Sequence, residues 1–153
     1  MLPIKNILWP TDFSDPSYEA LKVALEFATH FDAVLHIITV IPLVPLVEAP
    51  LGAESAGFNI AAYQNELEGH AKKSLKDIVE QRIGKDIKVV MDVSIGTAAA
   101  EIIRYATEKN IDLIVISTHG LSGWRKFISG STTEQVVRQA TCPVLTIHKP
   151  VKK

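Results

Sequence analysis

Ile4 to Trp9 is a short apolar run rich in strand-forming residues and stopped by Pro10, which predicts a first strand. The spacing then changes. Ala20, Leu21, Ala24, Leu25 and Ala28 recur three and four residues apart, the stripe of a helix that buries one face, with Asp15 as N-cap, Pro16 as first helical residue and an end near Phe31. Ala33 to Ile41 is nearly continuous in its apolar character and β-branched, as in a strand covered on both faces. From Pro42 to about Gly57 no period survives, and the prolines and glycines spread through it predict a mobile loop. Asn59 to Ile83 reads as a helix with its apolar side at Leu67, Ala71, Leu75 and Ile78 and with Gly84 as C-cap glycine. Asp86 to Ser94 follows as a strand. Thr97 to Lys109 is a helix facing inward through Ala100, Ile103 and Ala106, Ile111 to Ser117 a wholly apolar strand, Ser131 to Ala140 a helix and Pro143 to Ile147 a last strand.

Strict alternation of strand and helix predicts an α/β fold: an open parallel sheet with right-handed crossovers and helices on both faces. No internal repeat or linker divides residues 1–153, so one domain is expected, able to bury roughly 70% of its unfolded surface. Ligands of such sheets bind outside the carboxyl ends of the strands where the strand order reverses.

Composition narrows the partners. Sixteen Lys and Arg against seventeen Asp and Glu leave a formal net charge of -1, which gives no positive field for nucleic acid or an anionic membrane surface. No apolar stretch approaches the roughly 20 residues of a membrane span, and the opening MLPIKNILWP reads as a strand and not as a leader. Cys142 is the single cysteine, so no disulfide can form within the chain, and a reducing cytoplasm is expected.

Two loops carry the candidate chemistry. After the first strand comes Pro10-Thr11-Asp12-Phe13-Ser14, where Asp12 can accept hydrogen bonds from ribose or an adenine amino group, or can join Ser14 and Asp15 in capping the next helix. After the fourth strand comes Ser117-Thr118-His119-Gly120, then nine residues, then Gly130-Ser131-Thr132. Glycines at both ends let backbone N–H groups close on a phosphate, and the helix N-terminus adds donors. Ser131-Thr132-Thr133-Glu134 is also a capping box, and both uses can coexist because the box satisfies only two of the terminal N–H groups. Arg125 and Lys126 stand in the same loop, as outer-phosphate contacts or as solvated cations. Neither a P-loop nor a Gly-x-Gly-x-x-Gly after the first strand is present, and the five histidines show no metal-ligand spacing. Cys142, Trp9 and Trp124 read as packing residues.

Taken together, Pro10 to Ser14, Leu35-His36-Ile37-Ile38, the segment Ser117 to Ser131 and Cys142-Pro143-Val144-Leu145-Thr146-Ile147 closely resemble the universal stress protein family over essentially the whole chain, least so between Pro42 and about Asn65. The resemblance implies a Rossmann-like five-stranded parallel sheet ordered 3-2-1-4-5, with the two candidate loops side by side. Nucleotide-binding members carry Gly, two residues, Gly, nine residues, Gly, then Ser or Thr; here Gly120, Gly130 and Ser131 fill the later places and Ser117 replaces the first glycine. If that position demands a positive φ the serine is strained, whereas a strand end that asks only for small size accepts it. By motif position Asp12 would contact adenine or ribose, the Ile37 backbone would face adenine, and Gly120, Gly130, Ser131 and Thr132 would hold phosphates, with Pro10, Thr11, Ser117 and His119 completing the set. The implied ligand is ATP, with Mg or Mn beside it, or else AMP or ADP; the implied assembly is a homodimer through the last strand. The implied function is a nucleotide-dependent regulatory module of the stress response. Two alternatives stand beside it: a slow ATP hydrolase on the same scaffold, and a nucleotide-free dimeric interaction module.

Overall fold

The computed structural model describes residues 2–44, 59–118 and 131–148. Strand β1 (Asn6–Pro10) is followed by α1 (Asp15–Phe31), β2 (Val34–Ile41), α2 (Ile60–Arg82), β3 (Val89–Ile95), α3 (Ala98–Glu108), β4 (Leu113–Ser117), α4 (Thr132–Gln139) and β5 (Val144–Ile147). All pairings are parallel and the order is β3-β2-β1-β4-β5. The continuous apolar strands explain the layering, because successive side chains point to opposite faces. Ile7 and Trp9 of β1, with Leu35 and Ile37 of β2, pack under α1 and α2, whereas Leu8, Ile38 and Ile114 pack under α3 and α4.

Helix termini differ in detail from the pattern. Ser14, not Asp15, caps α1: its hydroxyl accepts from the Ser17 N–H, which leaves Asp15 and Pro16 inside the first turn. Gly84 is not the terminator of α2, whose C-cap Ile83 is already extended at φ -118° and ψ 130°. A Cβ at Gly84 would sit 2.5 Å from Asp86 Oδ1, the tip of an exposed side chain that is free to turn aside, so nothing in the structure requires this glycine. The buried face of α3 is Ala99, Ile102, Tyr105 and Ala106, one position away from the predicted Ala100 and Ile103 stripe; Ala100 is exposed. Tyr105 decides the phase, since its ring goes under α3 and its hydroxyl meets His36 of β2. Most of the predicted loop, residues 45–57, lies outside the described residues.

The chain leaves β1 for β2 and β3 on one side and returns to β4 on the other, so the order reverses between β1 and β4. Helix α1 leaves β1 on one face, whereas α4 leaves β4 on the other. Connections diverging in this way open a crevice at the carboxyl ends of those two strands.

Candidate functional site

Past the end of β1 the backbone is held by side chains. The Thr11 N–H donates to the Ile38 carbonyl (2.8 Å), and the Thr39 hydroxyl donates to the Thr11 carbonyl (2.8 Å). The Thr11 hydroxyl accepts from the Phe13 N–H (3.0 Å) and from Ser17 Oγ (2.8 Å). Ser17 is itself fixed, because its carbonyl receives the Trp9 indole N–H at 3.0 Å. Asp12 Oδ1 accepts from both the N–H (3.0 Å) and the hydroxyl (2.5 Å) of Ser14, while Phe13 adopts φ +64°. A bulky residue in that region is strained, and such strain persists only where the surroundings over-determine it. The result is an exposed carboxylate on a fixed turn at the switch point. Pro10 is buried as the last residue of β1.

On the β4 side, Ser117 closes the strand opposite Ile147 and is not among the positive-φ residues, so serine sits there in an extended strand end without strain. Its carbonyl accepts from the Thr133 hydroxyl at 2.7 Å, which ties the first turn of α4 to the end of β4. The β1–β4 pairing sets Ile7 against Leu113 and Leu8 against Ile114; the same register carried upward brings Thr11 level with Ser117. Ser131 caps α4, its hydroxyl accepting from the Glu134 N–H (3.1 Å). The reciprocal half of the capping box is not made among the described residues, because the Glu134 carboxylate turns to Arg138 at 2.9 Å. Thr132 begins the helix and is exposed. The structure therefore brings Thr11, Asp12, Ser117, Ser131 and Thr132 to one end of the sheet. Ile37 lies within β2, paired with Trp9 and Met91, its side chain fully buried under α1. His119, Gly120, Trp124, Arg125, Lys126 and Gly130 lie outside the described residues.

Sequence reasoning passed over Thr39, Ser17 and Thr133, the residues that hold these segments in place. Two of them left a signal: Thr39 is, with His36, one of two polar residues in an otherwise apolar β2, and Ser17 continues the Ala20, Leu21, Ala24 stripe one turn earlier.

A second polar cluster lies at the opposite end of the strands. His36 is 7% exposed, with Nδ1 3.0 Å from the Tyr105 hydroxyl and Nε2 3.3 Å from Asn6 Oδ1. Asn6 Nδ2 donates to the Asn110 carbonyl, so its Oδ1 is the acceptor, Nε2 carries the imidazole proton and Tyr105 donates to Nδ1. Burial, reinforced by the Lys109 charge, lowers the His36 pKa below 6.5; burial, then Asp92, pushes Tyr105 up to about 12. The unfolded chain therefore takes up a proton near pH 6.5 that the folded chain resists, so this stabilisation is complete above 6.5 and is lost as pH falls below it. Urea unfolding at pH 7.5 and 5.5 should show a drop of up to about 1.4 kcal/mol per pH unit, absent in His36→Gln.

A sequence model described as the universal stress protein family matches residues 3–148. The chain belongs to this family. The universal stress protein MJ0531 of Methanocaldococcus jannaschii is 37% identical over 149 residues, covering 97% of this chain and 85% of the relative. The solved structure of MJ0577, from the same organism, superposes with a TM-score of 0.79 at 26% identity, covering 97% of this chain and 99% of that one. A universal stress protein solved in complex with cAMP shares the fold, with a TM-score of 0.64 at 22% identity over 95% of this chain and 97% of its own. In this universal stress protein no helix among the described residues is long and apolar enough to cross a membrane.

Proposed function

We propose that this universal stress protein binds an adenine nucleotide, ATP ahead of ADP or AMP, between the β1 and β4 loops and uses occupancy to regulate a partner in the stress response. The observation that carries the reading is the exposed Asp12 carboxylate held on a fixed turn at the switch point, level with the β4 end from which the loop to α4 departs. Asp12 would receive ribose hydroxyls or the adenine amino group. Gly120, Gly130, Ser131 and Thr132 would hold phosphates at the α4 N-terminus, with Mg or Mn neutralising the phosphate charge. The relative solved with cAMP shows an adenine nucleotide on this fold in that protein. A slow ATP hydrolase on the same scaffold is the alternative to this binding role. Small molecules extracted from the purified protein should contain ATP, AMP or ADP in about one equivalent per site; extraction of none, with none bound on titration, favours the nucleotide-free module.

The assembly follows from β5. It is an edge strand of Val144, Leu145, Thr146 and Ile147, all half-buried and none charged. Such an edge invites pairing, and its own symmetry mate extends the sheet across a two-fold axis. Analytical ultracentrifugation should find twice the 16.8 kDa chain mass at micromolar concentration. A monomer there would remove the β5 interface. In this reading the protein works in the cytoplasm, where the single Cys142 needs no disulfide partner and its half-buried thiol, raised in pKa by burial, stays inert.

A further inference from the structure

We infer that Thr39 and Ser17 are positioning residues for the nucleoside half of the site, acting through Thr11 on the turn that presents Asp12; the inference rests on the nucleotide reading above. Neither side chain is at the surface, since Thr39 is 5% and Ser17 2% exposed, so neither touches the ligand in this role. Thr11 is the hinge between β1 and the turn. Its N–H makes the ladder bond to the Ile38 carbonyl, and its own carbonyl is held by the Thr39 hydroxyl, across 28 residues of chain. Its own hydroxyl collects Ser17 Oγ from α1 and the N–H of Phe13. Strand β2 and helix α1 thus grip one residue from two sides, immediately before the carboxylate. The Phe13 N–H bond matters most, because Phe13 stands at φ +64° and needs a fixed partner to stay there. Loosening either hydroxyl frees that turn and spreads the Asp12 carboxylate over several orientations, so a nucleoside must bear the cost of ordering it on binding.

A structural role alone would lower the melting temperature and leave affinity unchanged. A positioning role lowers affinity for adenosine and for ATP by the same factor, because both carry the group that Asp12 receives, and leaves the binding of inorganic triphosphate unaltered.

The test is calorimetric titration of adenosine, ATP and inorganic triphosphate into full-length Thr39→Val and Thr39→Ser proteins, well below their melting temperatures. Thr39→Val removes one hydrogen bond and should weaken adenosine and ATP alike by roughly three- to tenfold, while Thr39→Ser restores the parent affinity. Hydrogen exchange at the Phe13 and Ser14 amides should quicken in Thr39→Val and return in Thr39→Ser. Ser17→Ala, which suits a helix better than serine, supplies the second variant should Thr39→Val fold poorly. A folded Thr39→Val or Ser17→Ala protein with parent affinity for adenosine overturns the positioning role and leaves the nucleotide reading standing. Absence of both adenosine and ATP binding by the unaltered protein overturns both together.

Discussion

A Gly130→Val protein is expected to bind ATP at least about a hundredfold more weakly than the unaltered protein while keeping its fold and most of its affinity for adenosine. Gly130 precedes Ser131, the N-cap of α4, in sequence, and in the proposed site it would control how closely a phosphate can approach the helix N-terminus. In that site an isopropyl group would compete with the phosphate oxygens for space. Loss of two charge-assisted hydrogen bonds, each worth about 1.5–3 kcal/mol, amounts to two or more orders of magnitude in affinity. The core packing of α4 runs through Val136, six residues further on, and is left intact. Titration with ATP and with adenosine, beside circular dichroism, reads the effect. Parent affinity for ATP in the folded variant would reduce the role of this segment to the Ser131 cap.

Asp12→Ala is expected to weaken ATP, ADP and adenosine by the same roughly ten- to hundredfold, because in the proposed site the carboxylate would meet the part that all three share. This pattern is the reverse of the Gly130→Val selectivity, so the two variants separate the nucleoside and phosphate ends of one site. Asp12 also accepts from Ser14, and its removal loosens the α1 cap. Asp12→Asn is the control, since an amide oxygen can keep the Ser14 bonds while the charge is lost. If Asp12→Asn and Asp12→Ala both bind adenosine as the parent does, Asp12 serves the helix and not a ligand.

The strands were legible because β1, β2 and β4 are covered on both faces, and a chain buried that way is nearly continuous in its apolar character. Helix phase was harder where residues carry little contrast. Three alanines open α3, and its orientation is set by Tyr105, whose partner His36 stands 69 residues earlier. At the start of α1 three oxygen-bearing caps, Asp12, Ser14 and Asp15, fall within four residues. Local sequence cannot rank them, whereas in the structure Asp12 engages Ser14 and thereby fixes Ser14 as the N-cap. The site divides in the same way. Asp12, Ser117 and Ser131 announce themselves at strand and helix ends, whereas Thr39 shows only as a polar residue in an apolar strand, and its role emerges when Thr11 is folded against it.

Binding of an adenine nucleotide at the β1–β4 crevice is tested most directly by calorimetric titration of ATP into the nucleotide-stripped, unaltered protein. Saturable binding at one site per chain is expected, with a melting temperature that climbs with ATP concentration as ligand linkage requires. A flat titration, with a melting temperature indifferent to ATP, ADP and adenosine, would contradict it.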